Sequence, residues 1–169
     1  MTAHSTIPTS TGRPLLTLAD LLRLSPAELD AAYAGARTPL DLDGDYDGVL
    51  LTAQFPPRPR QFGVAGVNRA LPWRGKTFTA AEARGANRFR LAGRDFTLWP
   101  FATQVVPSQF DGAPTLLVDY DLPGNPAFFR HGVFDELRQL RPGLYLGIGG
   151  IRLGGRNRFL FHWALFRPE

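Results

Sequence analysis

Apolar and aromatic positions are densest in the last third of the chain, where two segments run from Leu144 to Leu153 and from Arg156 to Phe166. Each has the length of a strand, and Gly154-Gly155 between them suits a two-residue hairpin turn. The second segment is apolar on both faces. We therefore expect a core or a ligand to cover one face, and a helix or a partner chain to cover the other.

Other segments earlier in the chain have strand patterns bounded by turn signals. They cover residues 46–55, 73–78, 87–91, 95–106 and 115–120. Ala92-Gly93-Arg94 and Asp111-Gly112 join neighbouring strands into an antiparallel meander, and Pro100 indicates an edge or a bulge within the longest strand. With the closing pair, the pattern predicts about six to eight strands.

Two helix start signals precede the first strand. Thr17 caps a short helix that extends to Leu24. Ser25-Pro26-Ala27-Glu28 forms a capping box, with the proline at the first helical position. The inward positions of this second helix are Leu29, Ala32 and Tyr33. We therefore expect helical additions ahead of the predicted strands.

A third helix is predicted from Asn125-Pro126 to Leu140, ending at Arg141-Pro142-Gly143. Its apolar positions follow helical spacing. They are Phe129, Val133, Leu137 and Leu140. A weaker helical pattern, interrupted by glycines, covers residues 60–70.

Composition limits the chain to one domain with a substantial core. The chain has 169 residues, of which 44% are hydrophobic, with 13 Phe, 4 Tyr and 3 Trp. We predict that residues 1–16, which are rich in Thr, Ser and Pro, form a flexible tail. Residues 17–169 are predicted to form a single domain. The tail lacks the basic and apolar regions of a signal peptide, and no apolar run is long enough to span a membrane. We therefore predict a soluble cytoplasmic protein.

Charge and cysteine content exclude several kinds of chemistry. The chain has no cysteine, so disulfides, thiolate metal sites and cysteine nucleophiles are absent. Its net charge is +4, and Lys76 is the only lysine among 19 basic residues. An arginine excess of this kind is typical of a GC-rich coding bias.

Lys76 matches no phosphate-binding loop, and the glycines at 147, 149 and 150 favour close packing in a curled sheet.

Gly44-x-Tyr46-x-Gly48 opens the first strand ahead of the meander. This arrangement resembles the calycin group of β-barrels, namely lipocalins, fatty-acid-binding proteins and nitrobindins, which open with Gly-x-Trp or Gly-x-Trp-x-Gly. Trp73-Arg74-Gly75-Lys76-Thr77-Phe78 is similar to a segment of uncharacterised bacterial proteins with a GxWxG domain. Tyr46 replaces the usual tryptophan, and Leu50 stands where nitrobindins have a third glycine.

The pattern and the resemblance together predict a mainly β (α+β) protein. We expect a single antiparallel lipocalin-like barrel, with N-terminal helices and one helix before the last two strands. Eight-stranded barrels enclose one small ligand or fill their lumen with side chains. Both alternatives remain open from the sequence, as does a barrel that pairs with a second copy through its doubly apolar last strand.

The leading hypothesis is a protein that binds a small apolar or aromatic molecule in the barrel. Its lumen would be lined by residues drawn from Tyr46, Trp73, Phe89, Trp99, Phe101, Tyr120, Tyr145, Phe161 and Trp163. Arg90 or Arg152 would anchor a carboxylate. The predicted ligand-binding residues are Tyr46, Trp73, Arg90, Trp99, Tyr120, Tyr145, His162 and Trp163.

His162 lies in the middle of the last strand among aromatic residues. In nitrobindin-like barrels a histidine late in the chain ligates haem iron, so the resemblance implies this role for His162. The alternative is a histidine that hydrogen-bonds a neighbouring side chain. No other metal ligand or cofactor is predicted.

An enzyme acting on a hydrophobic substrate is a further alternative, with Asp119, Asp121 or His162 as acid or base. The two aspartates also suit a strand end that pairs with Arg130 or Arg138. The sequence has no self-sufficient catalytic signature, which favours a binding protein over an enzyme.

Arginines are concentrated near the predicted hairpin at residues 87–106. They are Arg84, Arg88, Arg90 and Arg94, interleaved with Phe89 and close to Phe96. Basic and aromatic residues together can bind single-stranded nucleic acid. Glu82 and Asp95 partly balance this charge, so we predict a solvated hairpin and no nucleic-acid partner.

Overall fold

The computed structural model describes residues 16–40, 42–53, 71–154 and 156–167. Eight antiparallel strands pair in chain order, and β1 also pairs with β8, which closes the sheet into a barrel. The strands are β1 (Gly44–Ala53), β2 (Trp73–Thr79), β3 (Arg84–Leu91), β4 (Arg94–Pro107), β5 (Pro114–Asp119), β6 (Val133–Arg141), β7 (Leu144–Leu153) and β8 (Arg156–Phe166). The predicted mainly β barrel is confirmed.

Three α-helices accompany the barrel in the described part of the chain. They are α1 (Leu18–Leu21), α2 (Pro26–Ala34) and α3 (Ala127–Gly132), and a short 3-10 helix spans Ala80–Glu82. No helix among the described residues is long and apolar enough to cross a membrane. The predicted tail up to residue 15, the helical pattern at 60–70, the strand end at 54–55 and Gly155 lie outside the described residues.

Capping boxes begin the first two helices, as the sequence predicts. The Ser25 hydroxyl accepts a hydrogen bond from the Glu28 backbone N–H, and the Glu28 carboxylate accepts one from the Ser25 N–H. Thr17 and Asp20 form the same reciprocal pair at α1. Each box satisfies helix N–H groups that have no partner within the helix. Helix α1 ends at Leu21, three residues before the predicted end.

The predicted third helix is correct in its start and wrong in its length. Helix α3 ends at Gly132, and Val133 begins strand β6, which pairs with both β5 and β7. Leu137 faces the barrel interior, whereas Glu136 contacts α2 on the outer side. Because both faces of β6 are buried, its charged residues do not mark a solvent-facing helix surface.

Two hydrophobic cores result from this arrangement. The first lies inside the barrel and includes Tyr46, Phe101, Leu137, Tyr145 and Trp163. The second lies outside it, between the N-terminal helices and the outer wall. Its buried members are Leu21, Leu29, Tyr33, Leu51, Leu144, Leu146, Ile148 and Ala164. The doubly apolar last strand is thus covered on its outer face by helices of the same chain.

Bulges decide which side chains of two strands face inward. In β4, Leu98 pairs with Asn87 and Pro100 with Ala86, so Trp99 is an extra residue, in agreement with the bulge predicted at Pro100. In β8, the pairing with β7 shifts between Phe161 and Phe159. The sequence placed Phe159 on one face with Phe161 and Trp163. The shift breaks this alternation, and Phe159 packs against the outer core instead.

Candidate ligand-binding pocket

Part of the barrel interior is filled by its own aromatic side chains. Tyr46 packs edge-on against Phe78 and Tyr145, with ring centroids 5.8 and 5.3 Å apart. Another part contains a cavity of about 470 Å³, which we name the central pocket. The barrel therefore combines a self-filled region with a region of ligand-binding size.

Aromatic rings form much of the wall of the central pocket, and the three tryptophans of the chain all line it. Trp73 and Trp163 meet edge-on at 6.2 Å, and Trp99 stacks on Phe129 of α3 with centroids 4.2 Å apart. Trp99 has φ 52°, a left-handed conformation that is costly for a residue with a side chain. The bulge and α3 together hold this ring against the pocket.

Glycines on β7 make room for two of these rings. A Cβ added at Gly147 would overlap the Trp163 ring, and one added at Gly149 would overlap the Phe161 ring. Both rings therefore lie over a stretch of β7 that has no side chain on its inner face, because Ile148 between the glycines packs in the outer core. This matches the close-packing role predicted for the glycines.

A buried polar cluster of Lys76, Asn87, Tyr120 and Asp135 also lines the central pocket. The Lys76 ammonium donates to Asn87 Oδ1 at 2.9 Å, to the Tyr120 hydroxyl at 2.6 Å and to Asp135 Oδ2 at 3.0 Å. The Tyr120 hydroxyl donates to Asp135 Oδ2 at 2.7 Å. Strands β2, β3 and β6 supply Lys76, Asn87 and Asp135, and Tyr120 directly follows β5, so closure of the barrel assembles the cluster.

Neighbouring groups orient the cluster. Asn87 Nδ2 donates to the Trp99 carbonyl and to the Tyr120 hydroxyl, and its Oδ1 accepts from Trp73 Nε1 as well as from Lys76. Within the described residues, two buried side-chain atoms have no hydrogen-bond partner: Asp135 Oδ1 and Trp163 Nε1. Both residues line the central pocket. An acceptor and a donor of this kind are costly to bury unpaired.

Burial controls the electrostatics of the cluster. Lys76 is 2% exposed, and its Nζ lies 4.9 Å from the Trp163 ring centroid. Removal from water lowers the pKa of Lys76, although the Asp135 carboxylate opposes this effect. Burial, with the nearby Asp135 charge, raises the pKa of Tyr120 well above its usual value. The ion pair of Lys76 and Asp135 leaves the cluster neutral overall.

Half of the predicted ligand-binding residues line the central pocket, namely Trp73, Trp99, Tyr120 and Trp163. Tyr46 and Tyr145 belong to the self-filled part of the interior. Arg90 lies outside the barrel, where it forms a bidentate ion pair with Asp95 at 2.6 and 2.7 Å. Arg152 is exposed, with its guanidinium over the Phe134 ring. Neither arginine lines the pocket as a carboxylate anchor.

His162 lies on the outer wall of the barrel, not in the central pocket. Its Nδ1 is 2.8 Å from the Thr52 hydroxyl, and its Nε2 is 2.8 Å from Asp30 Oδ1 on helix α2. Both ring nitrogens are therefore occupied by protein partners. This geometry corresponds to the hydrogen-bonded alternative and gives no support to haem ligation. The described residues contain no cluster of three or more His, Asp or Glu side chains suited to a metal ion.

The aspartates considered as acid or base, Asp119 and Asp121, do not line the central pocket either. Asp121 pairs with Arg130 at 3.0 Å, and Asp119 accepts a hydrogen bond from the Asp121 backbone. This is the strand-end arrangement that the sequence offers as the alternative. On the outer face of β3, Arg88 pairs with aspartates of β1.

Sequence reasoning missed Lys76, Asn87 and Asp135 as site residues. The available signal was the single lysine of the chain, placed two residues before Phe78 and thus on the same inward strand face. Asp135 could not be found in this way because its strand was predicted as a helix.

The fold and the central pocket define the class of this protein as an eight-stranded antiparallel β-barrel with an internal polar cluster. Among solved structures, the crystal structure of a protein from Thermomonospora curvata is similar to it, with a TM-score of 0.57 and 16% identity over 86% of this chain and 89% of that chain. At this identity the likeness shows the fold alone. No protein-family model and no curated protein matches the chain. The barrel is confirmed, whereas lipocalin, calycin or GxWxG membership stays a prediction.

Proposed function

We propose that this protein binds a small, neutral, largely aromatic molecule in the central pocket. The observation that carries the proposal is a cavity of about 470 Å³ in which aromatic walls surround a buried polar cluster. Typical small-molecule sites have volumes of about 300–1,000 Å³ and combine apolar walls with a few fixed polar groups. A soluble, cytoplasmic carrier of such a ligand fits the sequence-based prediction, and a homodimer remains a prediction as well.

The charges of the cluster favour a neutral ligand over an anionic one. Lys76 is already neutralised by Asp135 at 3.0 Å, so a ligand carboxylate would itself have no counter-ion in the cluster. A neutral group such as a hydroxyl needs no counter-ion and can both donate and accept hydrogen bonds beside the polar cluster. The carboxylate ligand suggested by the sequence is thus the less favourable choice.

Binding can be tested with 2-naphthol as a neutral probe and 2-naphthoate as its anionic counterpart. Isothermal titration calorimetry gives the affinities, and tryptophan emission reports on the site because all three tryptophans line it. We expect 2-naphthol to bind with a change in emission, and 2-naphthoate to bind at least tenfold more weakly. Tighter binding of the naphthoate, or no binding of either probe, would overturn the proposal.

A pair of matched variants tests the location. Val133 lines the central pocket, whereas Val105 is 54% exposed on β4. Val133→Phe is expected to weaken 2-naphthol binding at least tenfold by filling the pocket, and Val105→Phe to leave it unchanged. Equal effects of the two variants would place the binding elsewhere.

A further inference from the structure

We infer that Lys76 forms a Schiff base with a carbonyl compound held in the central pocket. This inference rests on the proposed function, because it assigns the neutral ligand to the aldehydes and ketones. It is carried by an amine that lines an aromatic cavity within hydrogen-bond distance of both a tyrosine hydroxyl and a carboxylate. A desolvated lysine in an apolar pocket is a recognised nucleophile towards carbonyl carbon.

The contacts of Lys76 Nζ supply the groups that the reaction requires. Asp135 Oδ2 at 3.0 Å can accept a proton from the ammonium, which leaves a neutral amine. The Tyr120 hydroxyl at 2.6 Å can exchange protons with the carbonyl oxygen and the nitrogen. Asn87 Oδ1 at 2.9 Å holds the amine in place. The lowered pKa of Lys76 acts in the same direction, since it makes the neutral amine easier to form.

The steps balance without any added oxidant or reductant. After proton transfer to Asp135, the nitrogen lone pair attacks the carbonyl carbon, so that a C–N bond forms and the C=O π bond breaks. Tyr120 gives its proton to the oxygen and regains one from the nitrogen, which yields a carbinolamine. The nitrogen then forms C=N as the C–O bond breaks, and the hydroxyl leaves as water with the proton from Asp135.

Charge balance distinguishes this reaction from other modifications of a lysine. The protonated imine keeps the positive charge of Lys76 beside the Asp135 carboxylate, so the buried ion pair is retained. Acylation would remove that charge and leave Asp135 buried without a counter-ion, which is strongly unfavourable. The cluster is therefore suited to carbonyl compounds and not to acylating agents.

The single lysine makes the test specific. Lys76 and the α-amino group are the only primary amines of the chain. The full-length protein is incubated with 2-naphthaldehyde and sodium cyanoborohydride, and the reduced adduct is located by intact mass and peptide mapping. We expect labelling of Lys76 at least tenfold faster than labelling of the α-amino group, with competition by 2-naphthol. Tyr120→Phe is expected to slow the labelling at least tenfold.

The outcomes separate this inference from the proposed function. If 2-naphthaldehyde displaces 2-naphthol but gives no reduced adduct at Lys76, the inference is wrong and the binding proposal stands. Labelling at equal rates on both amines, or labelling indifferent to 2-naphthol, also overturns the inference. If 2-naphthol itself does not bind, the proposed function fails first. The internal comparison between two amines of one molecule needs no variant that might not fold.

Discussion

Lys76 shows how one residue depends on the closed barrel. Taking an ammonium and a carboxylate out of water costs several kcal/mol per ion, and mutual attraction with well-placed hydrogen bonds offsets this cost. Asp135, Tyr120 and Asn87 provide these bonds. Asp135 and Asn87 stand on β6 and β3, and Tyr120 directly follows β5. Lys76 is therefore tolerated in the interior only when β2, β3, β6 and the end of β5 are in register.

Replacement of Lys76 by methionine tests this dependence. Because Asp135 would remain buried without its counter-ion, we expect Lys76→Met to lower the free energy of unfolding by about 3–5 kcal/mol. Lys76→Met/Asp135→Leu should regain much of that loss, since both charges are then absent. Urea denaturation followed by far-UV circular dichroism measures the three stabilities.

Arg74 on the same strand provides the control, because it is only partly buried. Arg74→Met should change the free energy of unfolding by less than about 1 kcal/mol. A single Lys76→Met variant as stable as the native protein would show that the ion pair contributes nothing to the fold.

The aromatic part of the site could be predicted at the residue scale, and its polar part could not. Trp73, Trp99 and Trp163 were identifiable because large aromatic residues on strands of a small barrel point either into the lumen or into a cover. The sequence left two alternatives for His162, ligand contact or a hydrogen bond to a neighbour, since alternation shows which residues share a face but not which face is inside.

At the scale of elements, local signals were sufficient where a hydrogen bond closes within a few residues. The capping boxes of α1 and α2 and the hairpin of β3 with β4 are of this kind. Local signals were not sufficient for strand β6. Its conformation is decided by pairing with β5 and β7 and by burial on both faces. Glu136 and Arg138 are fully buried there, whereas the apolar positions Phe129, Val133 and Leu137 follow helical spacing and favour a helix in the sequence.

Arg138 connects β6 to the loop before β5. Its guanidinium donates two hydrogen bonds to Asp111, at 2.7 and 2.6 Å, and also bonds to backbone carbonyls. This bidentate pairing holds the pKa of Asp111 below its ordinary value of 3.8. The unfolded carboxyl therefore takes up a proton at higher pH than the folded one, so the pair stabilises the protein above about pH 4.

Asp111→Asn tests this pH dependence. We expect a loss of about 3 kcal/mol at pH 7, because the buried Arg138 loses its counter-ion. The difference from the native protein should shrink as the pH falls through the lowered pKa, where the native carboxyl is also neutral. Urea denaturation at pH 7 and at pH 3 measures both differences.

Asp95→Asn is a suitable comparison, because Asp95 pairs with Arg90 on an exposed surface. Its removal should leave the free energy of unfolding nearly unchanged at either pH, because exposed ion pairs contribute little. A loss in Asp111→Asn that is the same at pH 7 and pH 3 would contradict the assignment of the pH dependence to this pair.

On the scale of the whole molecule, the barrel wall separates two cores that share strands. Tyr145 and Trp163 point inward, whereas Leu144 and Ala164, next to them in the chain, pack outward against the helices. A strand covered on both faces cannot shift without disturbing both cores. We therefore expect the N-terminal helices and the barrel to unfold in one cooperative transition.

Leu29 allows this cooperativity to be measured, since it is fully buried in the outer core and distant in sequence from every tryptophan. We expect Leu29→Ala to lower the free energy of unfolding by about 2–5 kcal/mol through the lost contacts and the cavity left behind. Leu22, which is 50% exposed, provides the control, and Leu22→Ala should cost no more than about 0.5 kcal/mol.

Tryptophan emission reports the barrel interior, and far-UV circular dichroism reports the helices and strands together. The midpoints of both signals should shift equally in Leu29→Ala, because loss of the helical cover exposes the outer faces of β7 and β8 and thereby weakens the strands that hold Trp163. An unchanged emission midpoint with a shifted dichroism midpoint would mean that the helices dock on a barrel that is stable without them.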